Sequence, residues 1–400
     1  MNICNAGIRD VHTGEPKLEA VKKYLFTPGP TPVPPEVLAA LGKPVLHHRG
    51  ADFRPVYERC LARLREVCRT EGDVLLYTSS GTGAMESVAA NLCADGTRAL
   101  VVSAGNFGER WVRIAALYGA EVESLRYEWG ESPRADDVAS RLRELGGVDV
   151  VFLTHSETST GVVADLQSLA AVAKEAGALV AVDAISSLGA VPLETDAWGL
   201  DAVVSGSQKA LMTPPGLGLC AVSAAAFAAA KPSRSFYFDW QRTQKAQAKL
   251  DASFTPATSL ITALDVALGL LLDEGLDAAF ERHVRLGRAC RAGAKAMGLE
   301  LFSPDDDRSA VVTAIRAPDG IESGDVVAGV RTHFGMTIAN GQGPLLGKIF
   351  RIGHIGWFDV FDITTALAAV ELVLAELGAD IERGTAVTAA LEAYEHARVA

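Results

Sequence analysis

The sequence lacks the features that would direct it to nucleic acid or to a membrane. Its 400 residues include 37 Lys and Arg against 49 Asp and Glu, a net charge of −12, and they contain no basic tract. Polyanions are bound by clustered positive charge, so neither nucleic acid nor an anionic membrane is expected as a partner. Residues 1–20 lack the apolar core of a signal peptide, and the apolar runs 221–230 and 257–272 are short or interrupted by Asp265. We expect a cytoplasmic protein.

The cysteines and glycines lack the spacings of several common sites. No Cys-x-x-Cys and no Cys/His cluster at metal-ligand spacing occurs, so no metal site is predicted. The glycine-rich segment 79–84 is neither a Walker loop nor a dinucleotide fingerprint, because it has no following Gly-Lys-Ser/Thr and is not Gly-x-Gly-x-x-Gly. The scattered cysteines indicate reduced, mostly buried thiols and a reducing compartment. They are Cys4, Cys60, Cys68, Cys93, Cys220 and Cys290.

Short apolar runs alternate with amphipathic segments between residues 74 and 222. The runs predict seven strands, at 74–78, 99–103, 121–127, 149–155, 178–183, 201–205 and 217–222. Near-continuous apolar strands separated by helices indicate an α/β fold with a mostly parallel sheet covered on both faces. Ligands on such sheets bind beyond the carboxyl ends of the strands. Thr78, His155, Asp183 and Ser205 lie at those ends.

The chain after residue 257 predicts a second, smaller unit. Residues 257–298 have a helical pattern and include a long connector over 277–297. A smaller α/β unit follows, with strands at 310–316, 336–339 and 349–353 and helices at 323–334 and 359–377. We predict an N-terminal arm over 1–30, a large domain over 31–275 and a small C-terminal domain over 276–400. The arm ends in a proline-rich extended segment, and Asp305–Asp307 is expected to be a solvated loop between the two domains.

Lys209 and Asp183 have the chemistry that a pyridoxal cofactor needs. Each follows or ends an apolar strand, and small residues surround Lys209. A lysine amine forms a Schiff base with the cofactor, and a carboxylate keeps its ring nitrogen protonated. Taken singly, the lysine could be a solvated charge and the aspartate a helix cap or turn residue.

Three further segments fit such a cofactor. Residues 79–84 place hydroxyls and glycines at the start of a helix, which indicates either a phosphate site or an ordinary capped turn. Phe107 follows the second strand, where it could stack on a planar ring or pack in the core. The segment 154–161 brings five hydroxyls, His155 and Glu157 to a strand end, where a hydroxyl could bind the phenolic oxygen of the cofactor or the His/Glu pair could do acid–base work.

The order of these segments resembles one family, the class V, fold type I pyridoxal-phosphate aminotransferases. Within it the chain is most similar to the alanine–glyoxylate, serine–pyruvate and serine–glyoxylate branch. The resemblance is carried by Phe26-Thr-Pro-Gly-Pro30, Ser80-Gly-Thr-Gly83, His155-Ser-Glu-Thr-Ser-Thr-Gly161, Val182-Asp-Ala-Ile-Ser-Ser187, Ser205-Gly-Ser-Gln-Lys209, Thr255-Pro256 and Phe350-Arg-Ile-Gly353.

The resemblance implies a role for each matching residue. Lys209 is the catalytic residue that binds pyridoxal 5′-phosphate covalently and moves the proton. The other cofactor-binding residues it implies are Ser80, Gly81, Thr82, Ser207 and Gln208 around the phosphate, Phe107 on the ring, Thr158 at the phenolic oxygen and Asp183 at the ring nitrogen. Thr255 is expected to reach the phosphate in a neighbouring subunit, which implies a homodimer with shared active sites. Gly29 and Arg351 are expected to hold the substrate carboxylate, Arg351 through its planar fork.

The reaction that the resemblance implies is transfer of an amino group from a small L-amino acid (alanine, serine or aspartate) to glyoxylate or pyruvate. Two relatives of the same fold remain as alternatives, a 2-aminoethylphosphonate–pyruvate transaminase and a cysteine desulfurase-like lyase. The latter is disfavoured because Gln208 stands where desulfurases usually carry histidine and because no cysteine lies over 221–289 or after 290. A non-catalytic cofactor-binding protein would have lost Lys209 or Asp183. Residues 47–49, His-His-Arg, have no role that the sequence decides.

Overall fold

A computed structural model describes residues 22–303 and 309–396. The strands are β1 (Tyr24–Leu25), β2 (Asp73–Tyr77), β3 (Arg98–Ser103), β4 (Glu121–Arg126), β5 (Val150–Thr154), β6 (Ser156–Glu157), β7 (Val162–Val163), β8 (Leu179–Asp183), β9 (Ala202–Gly206), β10 (Gly218–Val222), β11 (Val312–Arg316), β12 (Met336–Thr337), β13 (Ala339–Asn340) and β14 (Ile349–Gly353). The helices are α1 (Pro35–Leu41), α2 (Arg54–Cys68), α3 (Gly81–Leu92), α4 (Asn106–Leu117), α5 (Ala135–Leu145), α6 (Leu166–Glu175), α7 (Ala224–Ala229), α8 (Trp240–Gln247), α9 (Thr258–Glu274), α10 (Leu276–Ala296), α11 (Ser323–Phe334), α12 (Val360–Glu376) and α13 (Thr385–His396).

Seven strands form the central sheet, in the order β2-β10-β9-β8-β5-β3-β4. β10 runs antiparallel to both of its neighbours, and the other neighbouring pairs are parallel. The mostly parallel seven-stranded sheet expected from the sequence is therefore confirmed, and all seven predicted strands belong to it. The parallel strands bring their carboxyl ends to one edge of the sheet.

The central strands are apolar throughout because helices cover both faces of the sheet. Along β5 the side chains of Val151 and Leu153 belong to one buried core cluster, and Val150 and Phe152 belong to the cluster on the opposite face. β8 and β9 divide their side chains between the same two clusters. Burial on both faces fixes the register of these strands, since a shift by one residue would exchange the two faces.

A second core lies in the C-terminal part of the chain. It surrounds the three-stranded antiparallel sheet β11-β14-β13 and includes buried side chains of α10, α11 and α12. The smaller α/β unit predicted after residue 298 is present, and α11 has the bounds that the sequence predicts. The domain boundary at 275/276 stays a prediction. The expected loop Asp305–Asp307 lies outside the described residues.

The proline-rich segment near residue 30 joins the two cores. β1 pairs in parallel with β12, and Phe26 is buried in the C-terminal core. After the prolines, α1 packs Val37 and Ala40 against α9. The part of the predicted arm that the structure describes, residues 22–30, is thus held against the smaller unit, and its first 21 residues lie outside the described part of the chain.

Two elements differ from the sequence predictions. The helical pattern over 257–298 forms two helices, α9 and α10, separated by Gly275 with a φ of 86°. A left-handed glycine ends a helix because an L side chain is strained there. The single strand predicted over 336–339 is two short strands in different sheets, β12 beside β1 and β13 beside β14.

The helices differ in whether the residue before the first turn caps them. α6, α7, α8 and α12 begin at residues whose own side chains cap them, namely Asp165, Ser223, Asp239 and Asp359. α3 and α4 begin at the carboxyl edge of the large sheet and have no such cap. Among the helices of the described residues, none combines the length and the apolar character needed to cross a bilayer.

Candidate active site

A cavity of about 220 Å³ lies at the carboxyl edge of the central sheet. The predicted site residues that line it are Gly29, Thr82, Phe107, Thr158, Asp183, Gln208 and Lys209. They come from segments up to 180 positions apart, so the fold brings together residues that the sequence could only place at separate strand ends. Ser80, Gly81, Ser207, Arg351 and Thr255 do not line it.

Lys209 is buried three residues after the end of β9. Its Nζ donates to the carbonyl oxygen of Pro28. Burial lowers the pKa of Lys209 to about 8, although the negative charge of Asp183 opposes this shift. A minor fraction of the amine, about one tenth, is therefore neutral at pH 7, and a neutral amine is the form that attacks a carbonyl carbon.

Asp183 ends β8 and is 4% exposed. The backbone N–H of Ile185 donates to its Oδ1 at 2.9 Å. Burial raises the pKa of Asp183 to about 6, and the charges of Arg110 and Lys209 act in the opposite direction. At pH 7 the carboxylate remains mostly ionised, as a partner for a protonated ring nitrogen must be.

Gly29 fits under the Lys209 side chain because it has no Cβ. A Cβ at residue 29 would overlap the Cδ, Cε and Nζ atoms of Lys209, and the φ of 126° is a conformation that L side chains rarely adopt. Both the space and the backbone therefore require glycine. The proline-rich segment closes over the amine from the side opposite to the sheet.

The start of α3 presents free backbone N–H groups. Its first helical hydrogen bond runs from Ala84 N to Ser80 O, and the N–H groups of Gly81, Thr82 and Gly83 have no acceptor in the described part of the chain. Free N–H groups at a helix start bind anions such as phosphate.

The polar side chains around this helix start differ in whether they are free to bind a phosphate. The side-chain amide of Gln208 lines the cavity, and its Oε1 is buried without a hydrogen-bond partner among the described residues. Ser80 is exposed next to the helix. Ser207 is turned elsewhere, since its hydroxyl donates to Pro214 O at 2.7 Å and accepts from Leu217 N at 3.2 Å. Its role at the phosphate stays a prediction.

Phe107 lies in the first turn of α4, and a buried carboxylate fixes this turn. Glu157 Oε2 accepts from the N–H groups of Phe107 at 2.9 Å and Gly108 at 3.2 Å. Its Oε1 accepts from the N–H and the hydroxyl of Ser159. Glu157 thus replaces the missing cap of α4. Burial raises its pKa, and these donors oppose the shift.

The sequence suggested acid–base work for the His155/Glu157 pair, and the geometry favours a structural role. Both oxygens of Glu157 are occupied by the donors of α4 and of Ser159, and the Nδ1 of His155 is buried without a partner in the described residues. Burial lowers the pKa of His155 to about 4, so this ring is neutral at physiological pH.

Arg351 lies on β14 of the smaller unit and is 4% exposed. Its Nη1 donates to Thr158 O at 2.7 Å, and its Nε and Nη2 donate to Asn340 O at 3.1 and 2.6 Å. Thr158 lines the cavity, so Arg351 stands directly behind the cavity wall. Burial lowers the pKa of Arg351 to about 10, which still leaves it charged at pH 7.

Thr255 and residues 47–49 lie apart from the cavity. Thr255 is exposed in a segment where Phe254 stacks on Tyr237, with ring centroids 4.9 Å apart. Arg49 forms an exposed ion pair with Asp251 at 3.4 Å. The Nε2 of His48 is buried without a partner within the described chain.

The sequence did not single out Arg110 and Ile185 as site residues, although both line the cavity. Ile185 follows Asp183 by two positions and packs over Gly81, where a Cβ would lie 2.6 Å from its Cδ1. Arg110 follows Phe107 by one helical turn, a spacing that places both side chains on one face of α4. That spacing is the signal that could have identified Arg110.

The model of one protein family matches residues 23–348, the family described as aminotransferase class V. The chain belongs to the class V aminotransferases. The family is confirmed, and with it the fold and the enzyme class expected from the sequence: a pyridoxal-phosphate-dependent aminotransferase acting on amino acids and 2-oxo acids.

Several known proteins are similar over nearly their whole length. The "Soluble hydrogenase 42 kDa subunit" of Anabaena cylindrica is 41% identical over 94% of this chain and 99% of its own. The L-aspartate–glyoxylate aminotransferase of Paracoccus denitrificans is 34% identical over 94% and 97% of the two chains. The crystal structure of the ureidoglycine–glyoxylate aminotransferase of Bacillus subtilis superposes with a TM-score of 0.89 at 33% identity, covering 93% and 97%.

The residues present fit pyridoxal phosphate. The site supplies a largely buried amine, an ionised carboxylate, a helix start with free N–H groups, and the apolar side chains of Phe107 and Ile185, which would pack against a ring. When bound, the cofactor supplies an electron-accepting ring that stabilises negative charge at the substrate Cα. Within residues 22–303 and 309–396, no three His, Cys, Asp or Glu side chains lie together as ligands of a metal ion would.

Replacement of Gly29 by alanine should prevent attachment of the cofactor to Lys209, because the added Cβ occupies the space of the amine. The control is Gly96→Ala, whose φ of 83° is also positive and which has nothing within 4 Å of the added Cβ. Both variants should lose stability because of the positive φ, by about 1–2 kcal/mol for Gly96→Ala. Only Gly29→Ala should fail to develop the visible absorbance of lysine-bound cofactor. Normal absorbance in Gly29→Ala would contradict the role assigned to this glycine.

Proposed function

We propose that the enzyme transfers the amino group of a small L-amino acid, such as alanine, serine or aspartate, to glyoxylate or pyruvate. The observation that carries the proposal is the state of Arg351. Its guanidinium is buried behind the cavity, and its hydrogen bonds go to backbone carbonyl oxygens. No described carboxylate lies within 4 Å of it, although the charge of the more distant Glu157 opposes the lowering of its pKa by burial.

A buried cation without a counter-charge is costly, so a fold retains it where a ligand brings the opposite charge. An amino acid and a 2-oxo acid both carry a carboxylate beside the reacting carbon. One planar guanidinium can therefore orient both substrates in turn, and it does so better than lysine because it offers two parallel N–H groups.

Glyoxylate as the acceptor is supported by the names of two relatives, which act on aspartate and on ureidoglycine together with glyoxylate. The cavity has a volume of about 220 Å³, which suits small substrates beside a cofactor ring. The volume of the cavity is compatible with several amino donors, and a panel of half-reactions distinguishes them.

The residues of the chain divide the work of the reaction. Arg351 holds the substrate carboxylate and so fixes the position of Cα. Lys209, when its amine is free, is a base with a pKa lowered by burial, and it would take the proton from the substrate Cα and return it to the cofactor carbon bonded to the amino nitrogen. Asp183, mostly ionised at pH 7, would pair with the ring nitrogen.

We further infer that two chains pair into a homodimer that shares its active sites. Thr255 is exposed and does not line the cavity of its own chain. It follows Phe254, whose ring contacts that of Phe236, and Phe236 is itself 70% exposed. The resemblance of the Thr255-Pro256 segment implies that this hydroxyl reaches the phosphate of a neighbouring subunit. Sedimentation of the loaded enzyme tests this, and a monomer that turns over at the full rate would contradict it.

A cytoplasmic location is supported by the unpaired, buried cysteines Cys60, Cys68, Cys93, Cys220 and Cys290, and fractionation of the source cells tests it.

A panel of half-reactions tests the proposed substrates. Alanine, serine, aspartate, glycine and 2-aminoethylphosphonate are added singly to the loaded enzyme while the visible absorbance of the lysine-bound cofactor is followed. We expect loss of absorbance with a small α-amino acid and recovery on addition of glyoxylate or pyruvate. A response to 2-aminoethylphosphonate alone would instead identify the aminophosphonate transaminase, and release of sulfide or alanine from cysteine would identify a lyase.

Replacement of Arg351 by glutamine should weaken both substrates. Loss of a buried charge-assisted pair costs about 2–4 kcal/mol, so KM should rise roughly 30- to 700-fold for the amino acid and for the oxo acid alike. Arg351→Lys keeps the positive charge without the two parallel N–H groups of the guanidinium. Its KM should lie between those of the wild type and of Arg351→Gln. Unchanged KM values in Arg351→Gln would show that another group binds the carboxylate.

A further inference from the structure

Arg110 is a cation in the cofactor cavity that has no assigned role. Its side chain lines the cavity from the second turn of α4. No Asp or Glu oxygen of the described residues lies within 4 Å of its guanidinium; its two contacts are the hydroxyl of Thr82 and the ring of Phe107. Its charge is nevertheless felt at both reactive groups of the site, Asp183 and Lys209. The cavity lining holds two cationic side chains, Arg110 and Lys209, against the single carboxylate of Asp183, and this excess of positive charge suits a ligand with negative charge.

The contact with Thr82 determines what the threonine can bind. Arg110 Nη1 donates to Thr82 Oγ1 at 3.0 Å, so the hydroxyl oxygen acts as an acceptor there. Its hydrogen is then free to be donated into the cavity. Thr82 also lies in the turn of α3 where the N–H groups of Gly81, Thr82 and Gly83 have no acceptor in the described chain. Hydroxyl and backbone donors thus converge at one place, and a multiply charged oxyanion is the ligand that accepts from all of them.

We propose that Arg110 is a determinant of phosphate binding in this enzyme: it orients the Thr82 hydroxyl as a donor to the cofactor phosphate and supplies positive charge beside it. The proposal depends on the cofactor and not on which amino donor or acceptor the enzyme uses. Failure of the half-reaction panel would therefore leave it standing.

Arg110 could act in a second way, through the ring it covers. Its guanidinium carbon lies 4.8 Å from the centroid of Phe107, within cation–π range. Loss of Arg110 could then disturb ring stacking instead of phosphate binding. The two roles differ in their dependence on the phosphate, because pyridoxal has the same ring and aldehyde as pyridoxal phosphate but lacks the anion.

The test measures the affinity of the apoenzyme for pyridoxal phosphate and for pyridoxal, by absorbance and fluorescence titration. In Arg110→Met we expect the affinity for pyridoxal phosphate to fall about 10- to 100-fold, the effect of losing charge-assisted hydrogen bonding, while the affinity for pyridoxal changes less than about twofold. Thr82→Val should also lower the affinity for pyridoxal phosphate without lowering the affinity for pyridoxal. In the Arg110→Met background the same substitution should lower the affinity for pyridoxal phosphate only slightly further, since the two residues act together.

The matched control is Arg113→Met, one turn further along α4. Arg113 is exposed, outside the cavity, and bonded to the backbone oxygen of Glu109, so both affinities should remain at the wild-type level. Arg110→Lys keeps the charge and should retain part of the selectivity for the phosphate form. It also provides the test if Arg110→Met does not fold, which thermal melting of the apoenzymes would show.

Two results would overturn the proposal. An equal loss of affinity for pyridoxal and pyridoxal phosphate in Arg110→Met would show that Arg110 acts through Phe107. Unchanged affinity for pyridoxal phosphate in both Arg110 variants would show that the helix start alone holds the phosphate.

Discussion

Burial of the Lys209 amine beside the Asp183 carboxylate is the constraint on which the rest of the site depends. Two ionisable groups are withdrawn from water at the ends of neighbouring strands, which is costly for each charge. The same burial lowers the pKa of the lysine and raises that of the aspartate, so the amine becomes partly neutral while the carboxylate stays ionised at pH 7. The cost of withdrawing these groups and their chemical usefulness therefore have one physical cause.

The surroundings maintain this arrangement from several elements. The proline-rich segment reaches over the amine only because Gly29 leaves room for it. Glu157 anchors the first turn of α4 and the Ser159 turn together, so the ring-facing Phe107 and the cavity residue Thr158 are positioned by one carboxylate. Arg351 then ties Thr158 to Asn340 in the smaller unit. Arg351, the residue proposed to bind the substrate carboxylate, is thereby connected to the wall of the cavity.

The sequence was sufficient for the parts of the structure that depend on local pattern. The strands of the large sheet were predictable because burial on both faces makes them continuously apolar, and site residues such as Asp183 could be placed because they follow those strands. The antiparallel direction of β10 was not predictable, since a continuous run of apolar residues is the same for a parallel and an antiparallel strand. The cap that Glu157 provides for α4 was missed because donor and acceptor are 50 positions apart. The Ser207 hydroxyl illustrates the converse, a residue in a matching motif whose oxygen the fold uses to hold its own turn.

The central claim is that Lys209 carries the cofactor. The most direct measurement is reduction of the loaded enzyme with borohydride, followed by digestion and mass spectrometry of the lysine-containing peptides. The account predicts a single pyridoxyl-phosphate modification, on Lys209. Stoichiometric modification of another lysine, with Lys209 unmodified, would contradict it.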